Sequence, residues 1–327
     1  MRDAFIETLT EIAADDPRVM LITGDLGFGV IDRFAARFPS QFLNAGVAEQ
    51  NMTSIACGMA LSGWRVYTYS IANFPTLRCL EQVRNDVCYH NCDVTIVAVG
   101  GGFSYGPLGM SHFATEDLAI MRALPNMRVV APTETWEAQD LVRDIARTKG
   151  PAYLRIDKDA GGVARRDGER AHLGKARRVR DGADVTLIAT GAILREALVA
   201  AERLAAQGVD CRIEAMHTVK PLDEAAILAA ARETGGIVTI EEHSRIGGLK
   251  GAVAETLITA GVRASFFRSI ALCDAFPTIV GDQAYLRGRY GMDAKAVEAA
   301  IVAALAEGAP LARLAAQAKW ETAGEGA

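Results

Sequence analysis

This chain is short of the features that name a compartment or a large partner at sight. It has no apolar run of bilayer length, no block of like charge, no CxxC pair and no GxxxxGK[ST] phosphate loop. The first absence excludes a helical membrane span. The second argues against nucleic acid or an anionic membrane as the main partner, because a net charge of -5 is spread thinly over 327 residues. A small charged substrate is not excluded. The opening stretch MRDAFIETLTEIAADDP puts acidic residues where a secretory leader needs an unbroken apolar core, so a cytoplasmic location is expected. Cys57, Cys79, Cys88, Cys92, Cys211 and Cys273 fit no zinc spacing and are expected as reduced, mostly buried thiols.

What the chain does have is alternation. Phe5, Leu9 and Ile12 make the stripe of an opening helix, RVMLITG reads as a strand, and Met52, Ile55, Ala56 and Met59 recur at helical spacing. WRVYTYS, DVTIVAV, MRVVAP and PAYLRI follow as short apolar strands, with helices expected over Leu80 to Val87 and Glu134 to Ile145. From Lys158 to Asp184 the composition turns Gly- and Arg-rich and loses its period, as a linker or surface crossover would. The alternation then restarts with DVTLIAT, a helix over Leu194 to Ala206, VDCRIEA, a helix over Glu224 to Ala231, GIVTIEE and a helix from Leu249. The fold class expected is α/β, with two consecutive domains of mainly parallel sheet flanked by helices, at 1–160 and 184–327 with a linker at 161–183. The tail ETAGEGA has nothing to pack and is expected to fray.

Open parallel sheets bind ligands beyond the carboxyl ends of their strands, which directs attention to three loops: TGDLGFG, NAGVAEQN and VGGGFSYGPLGMSH. The glycines of the first have the wrong spacing for a dinucleotide fingerprint and could simply serve a turn. In the second, Glu49 is the one carboxylate amid small and apolar residues. An acid in the first turn of a helix is stabilised by the dipole and needs no other purpose. The small-residue helix that follows nevertheless suggests close packing on several sides, where a carboxylate needs a partner.

NAGVAEQNMTSIACGMALSG, then YSIANF, then GPLGMSHFATEDLAIMRALPNMRVVAPT together resemble the pyrimidine-binding domain of the transketolase family of thiamine diphosphate enzymes. DVTLIATG and TIEEHSRIGGL resemble that family's C-terminal domain. The motifs run in order over nearly the whole chain. The resemblance implies that Glu49 hydrogen-bonds the far ring nitrogen of the cofactor's aminopyrimidine, so that the cofactor's own amino group can take the proton from its reactive carbon. Burial of Glu49 would favour the protonated form, and the helix N-terminus would oppose it. The resemblance further implies Phe74 as the ring stacked on the aminopyrimidine and Asp25 and Leu26 as the pair beside the thiazolium. It implies His112 as the histidine that reaches substrate oxygens, and either Arg155 or Lys158 as the cation for the acceptor's anionic end. Each residue also has a plain reading: a core phenylalanine, a turn aspartate with a packing leucine, a structural histidine, surface charges at a strand end.

Three departures qualify the resemblance. Leu108 stands where familiar transketolases carry an acid that binds a sugar hydroxyl, and no hydroxyl residue lies beside Gly29 to hold an acceptor phosphate. The chain also has no GDG motif, the family's anchor for the Mg2+ or Ca2+ that bridges to the diphosphate. The implied partner is therefore a companion N-terminal subunit carrying that motif and the metal, in a homodimer-based or α2β2 assembly. The expected activity is transfer of a two-carbon ketol unit from a ketose, phosphorylated or otherwise anionic, to an aldehyde. The β subunit of a 2-oxo acid dehydrogenase and a non-catalytic scaffold of the same fold are the alternatives. No role for Glu241, Glu242 or His243 follows from TIEEHS beyond capping a strand and lining a domain interface.

Overall fold

The computed structural model describes residues 1–307. The first unit runs α1 (Arg2–Asp15), β1 (Val19–Thr23), α2 (Asp32–Arg37), β2 (Phe42–Asn44), α3 (Glu49–Leu61), β3 (Arg65–Ile71), α4 (Leu80–Gln82), β4 (Val94–Val99), α5 (Asp117–Ala123), β5 (Arg128–Val130), α6 (Thr135–Arg147) and β6 (Ala152–Ile156). The second runs β7 (Arg177–Arg180), β8 (Val185–Thr190), α7 (Leu194–Ala205), β9 (Cys211–Ala215), β10 (Thr218–Lys220), α8 (Glu224–Glu233), β11 (Ile237–Ser244), α9 (Leu249–Thr259), β12 (Phe267–Leu272), α10 (Gln283–Arg289) and α11 (Ala294–Ala306).

Strands β1, β4 and β6 are buried from end to end, as in a parallel sheet covered on both faces. Their side chains alternate between the two covers. Val19 and Leu21 pack with Phe5 and Leu9 of α1, whereas Met20 and Ile22 pack with Met52 and Ala56 of α3. The first sheet has the order β10-β5-β6-β4-β3-β1-β2, parallel except where β10 runs antiparallel to β5. The second has the order β12-β11-β8-β9-β7, parallel except for β7 against β9. All six cysteines are free thiols, five of them buried. Among the described residues no helix is long and apolar enough to cross a membrane.

The architecture expected from the sequence is present, with three local differences. The stretch read as a linker contains β7, whose Arg177 is buried and places Nε 2.5 Å from Glu137 Oε1 on α6. Strand β10 leaves the second unit to become the edge of the first sheet. RRVR and TVK carry no apolar alternation, so only tertiary pairing makes them strands. The helix expected over Leu80 to Val87 is a single turn followed by a π-helical turn at Val83–Cys88. ETAGEGA lies outside the described residues.

A buried polar seam joins the units. Glu242 of β11 accepts the backbone N–H of Phe103, Nε2 of Gln283 (2.8 Å) and Nε of Arg287. Arg155 holds its Nε 3.2 Å from Asp117 Oδ2 and donates to the carbonyls of Ala114 and Glu242 at 3.2 and 2.9 Å. His243 accepts the N–H of Ala119 at Nε2 (3.3 Å) and donates from Nδ1 to the Ser244 carbonyl (2.7 Å). Glu241 accepts the N–H groups of Leu249 and Lys250, at 2.7 and 2.8 Å, where α9 begins. The Glu-Glu-His run thus caps a helix and braces the interface. Gly101 and Gly102 are required beside it: a Cβ on either would overlap Arg155 or Glu242, and Gly102 has φ +55°.

Candidate active site

The parallel strands of the first sheet all end at one edge, and every residue singled out from sequence lies at or just past it. Asp25 and Leu26 follow β1, Glu49 opens α3 after β2, Phe74 follows β3, His112 lies on the loop after β4, and Arg155 and Lys158 lie at or beyond the end of β6. The turn after β1 is held by Thr23, whose Oγ1 donates to the Leu26 carbonyl (2.9 Å). Asp25 has φ +57°, a left-handed conformation uncommon for a residue with a side chain. Asn44 holds it there: Asn44 Nδ2 donates to Asp25 Oδ1 (2.9 Å), and Asn44 Oδ1 accepts the N–H groups of Asp25 (3.1 Å) and Gly46 (3.0 Å).

Glu49 is only 2% exposed. Its Oε2 receives Nη1 of Arg78 at 2.8 Å, and Gly24 packs beside its other oxygen, where an added Cβ would lie 3.8 Å from Oε1. The Arg78 guanidinium also lies over the Phe74 ring, 4.6 Å from the centroid. His112 approaches Phe74 in an edge-on arrangement at 5.2 Å. The two loops are tied by Asn73, whose Nδ2 donates to the Ser111 carbonyl (2.8 Å). His112 Nδ1 lies 2.9 Å from Ser111 Oγ. Partial burial, and then the Lys158 cation, push the imidazole below its ordinary pKa, so it is neutral at pH 7. Lys158 is exposed, with Nζ 3.5 Å from the Tyr105 ring centroid, and Tyr105 in turn stands 6.2 Å from His112.

Glu49, Phe74, His112 and Lys158 therefore form one connected group, with Asp25 and Leu26 at its margin. Arg155 does not join it. Its guanidinium is withdrawn into the seam between the units, where Asp117 and two carbonyls use it. Sequence reasoning missed Arg78, Asn44 and Tyr105. Their only signal is proximity in sequence to a residue already singled out.

A buried carboxylate with an aromatic ring nearby is a receptor for a flat group bearing an N–H donor. The Arg78 guanidinium, which is planar and makes both contacts, shows that such a group fits. An aminopyrimidine has the same shape and the same requirement. The residues present thus suit the pyrimidine half of thiamine diphosphate.

The chain matches the family model "Transketolase, pyrimidine binding domain" over residues 1–162 and "Transketolase, C-terminal domain" over residues 174–297. It is 39% identical to one of the subunits of an apulose-4-phosphate transketolase from Phocaeicola vulgatus, over 78% of this chain and 83% of that one. It is 36% identical to the 6-deoxy-6-sulfo-D-fructose transketolase subunit SqwH of a Clostridium species, over 91% and 92%. A 1-deoxy-D-xylulose-5-phosphate synthase of Syntrophotalea carbinolica is 35% identical over 91% of this chain, which spans 47% of that enzyme. Among solved structures, a split-gene transketolase described as an inactive β4 tetramer superposes with a TM-score of 0.83 at 34% identity, covering 93% of this chain and 97% of that one. The chain belongs to the thiamine diphosphate-dependent transketolase family, whose pyrimidine-binding and C-terminal domains it carries in that order.

Proposed function

We propose that this chain is the β-type subunit of a split transketolase that moves a two-carbon ketol unit from a ketose to an aldehyde. It acts only with a companion chain supplying the GDG motif, the diphosphate site and the metal ion. The observation that carries this reading is that the buried Glu49 carboxylate and the Phe74 ring hold one planar group, the Arg78 guanidinium, between them at the carboxyl edge of the first sheet.

Thiamine diphosphate, when bound, supplies the nucleophilic carbon and the electron sink for breaking and making the carbon–carbon bond. This chain's residues prepare that chemistry. Glu49 hydrogen-bonds a ring nitrogen and holds or yields a proton there, and Phe74 fixes the plane of the ring. Asp25 and Leu26 border the other end of the cofactor from a turn that Asn44 keeps rigid. His112, neutral at pH 7, can exchange hydrogen bonds with substrate hydroxyl and carbonyl oxygens. Lys158, exposed beside Tyr105, is the cation for the anionic end of the substrate, in preference to the buried Arg155. Two of the similar transketolase subunits act on sugars with an anionic terminus, one phosphate and one sulfonate, which supports an anionic ketose here.

The test is turnover of phosphorylated ketoses with thiamine diphosphate and Mg2+, by this chain alone and by a mixture with a co-expressed GDG-bearing chain. Activity only in the mixture is expected, and activity of the chain alone would defeat the reading. Carbon dioxide released from pyruvate or branched 2-oxo acids would point instead to a decarboxylating relative.

Lys158 also allows a check on His112. Lys158→Met should raise the KM for a phosphorylated substrate roughly 10-fold, the scale of a lost charged hydrogen bond. Removing the cation also lets the imidazole pKa rise, so the loss of kcat/KM on acidification should begin at a higher pH. The displacement is limited, since burial is the larger cause and persists. An unmoved acid limb would separate Lys158 from His112.

A further inference from the structure

Arg78 was assigned no role by its sequence, yet it makes the most specific contacts at the site. We propose that its guanidinium is a built-in occupant of the aminopyrimidine position, and that it must leave Glu49 before the cofactor can bind. The inference rests on the reading of this edge as the pyrimidine site.

A carboxylate as deeply buried as Glu49 is costly without a partner. Among the described residues, Arg78 Nη1 is the one donor to its side chain, at 2.8 Å. The same guanidinium lies 4.6 Å above the Phe74 ring. A flat, hydrogen-bonding group therefore already touches the two residues that would hold the pyrimidine ring. His112 meets the same phenyl group in a T-shaped contact at 5.2 Å, whereas the Arg78 guanidinium lies over its ring, where a planar ligand would stack. Two planar groups cannot share it.

The exposures decide which partner yields. Arg78 is 47% exposed along its side chain and Glu49 2%. A half-solvated guanidinium that swings outward recovers its hydration, whereas the carboxylate has nowhere to go. Arg78 is also carried by the turns between β3 and α4, not by a regular element that would fix its direction. The arrangement keeps Glu49 paired in a chain that has yet to receive its cofactor, at the expense of apparent affinity. When only a fraction of sites is vacant, the measured dissociation constant is the intrinsic one divided by that fraction.

The experiment is calorimetric titration of thiamine diphosphate, with Mg2+, into the reconstituted two-chain complex bearing Arg78→Met. Methionine keeps the apolar contact with Phe74 and removes the donor and the charge. The variant should bind about 3- to 10-fold more tightly than wild type, the gain expected when a competing conformer is removed. Arg78→Lys keeps the ion pair but not the plane and should fall between the two. Equal or weaker binding by Arg78→Met overturns the proposal. If wild-type complex binds no thiamine diphosphate, the reading of the edge as a pyrimidine site fails, and this inference fails with it. Should Arg78→Met not fold, a crystal structure of wild-type complex with the cofactor decides the matter: Arg78 is expected out of ion-pair reach of Glu49, and its retention there overturns the proposal.

Discussion

Glu49→Gln and Glu49→Ala are each expected to lower turnover of the proposed two-chain complex by at least ~10²-fold, the scale of losing a positioned acid or base. Glutamine has nearly the shape of glutamate and can still hydrogen-bond a ring nitrogen, but it cannot hold and yield a proton there. The two variants should therefore fall together in rate while differing in cofactor affinity, glutamine binding better. Stability should change little. Arg78 loses its partner but is half in water, so it tolerates the loss, and the protein no longer buries a charge. Steady-state kinetics and thermal denaturation of the same preparations separate the effects. Near-normal turnover by Glu49→Gln would remove Glu49 from the chemistry.

The second large effect is expected far from the reacting atoms. Glu242→Ala deprives the Phe103 N–H, Gln283 and Arg287 of one shared acceptor. Arg287 then stays buried without that hydrogen-bonded partner, with the Glu196 carboxylate 3.6 Å from its Nη1 and Asp157 acting on it through space. Breaking a buried pair from one side costs about 3–5 kcal/mol. A fall of that size in the unfolding free energy of this chain should appear in urea denaturation, and an unchanged midpoint would show that the seam is not a stabilising contact. The loop anchored at Phe103 continues through Tyr105 to His112, so the variant should also lose kcat/KM while the complex still binds thiamine diphosphate.

The sequence revealed most where physics repeats. Phe5, Leu9 and Ile12 showed the face of α1, and the short, largely apolar runs of β1, β4 and β8 read as strands, which the structure buries from end to end. Glu49 was legible because a carboxylate among small residues is an anomaly that burial makes expensive. The family motifs led to Phe74 and His112, and the structure brings the two rings together through Asn73 and Ser111. What stayed hidden depends on folding back. Arg155 and Lys158 could not be told apart when only two residues separate them, yet one side chain turns into the seam and the other, exposed, lies over the Tyr105 ring. The same holds for β7 and β10, whose sequences RRVR and TVK are strands only because a neighbouring strand offers its edge.

Strand β10 bears on how such proteins can be rearranged. Its pairing with β5 means that the second unit finishes the sheet of the first, and the Lys220 ammonium donates to the carbonyls of Arg122 and Leu124 beside that join. A chain cut between residues 160 and 184 would leave β5 with a row of unpaired peptide groups, a template for aggregation. Recombination that swaps pyrimidine-binding and C-terminal domains independently would thus trade away an edge along with a domain. The first sheet is completed only when both units are present in one chain.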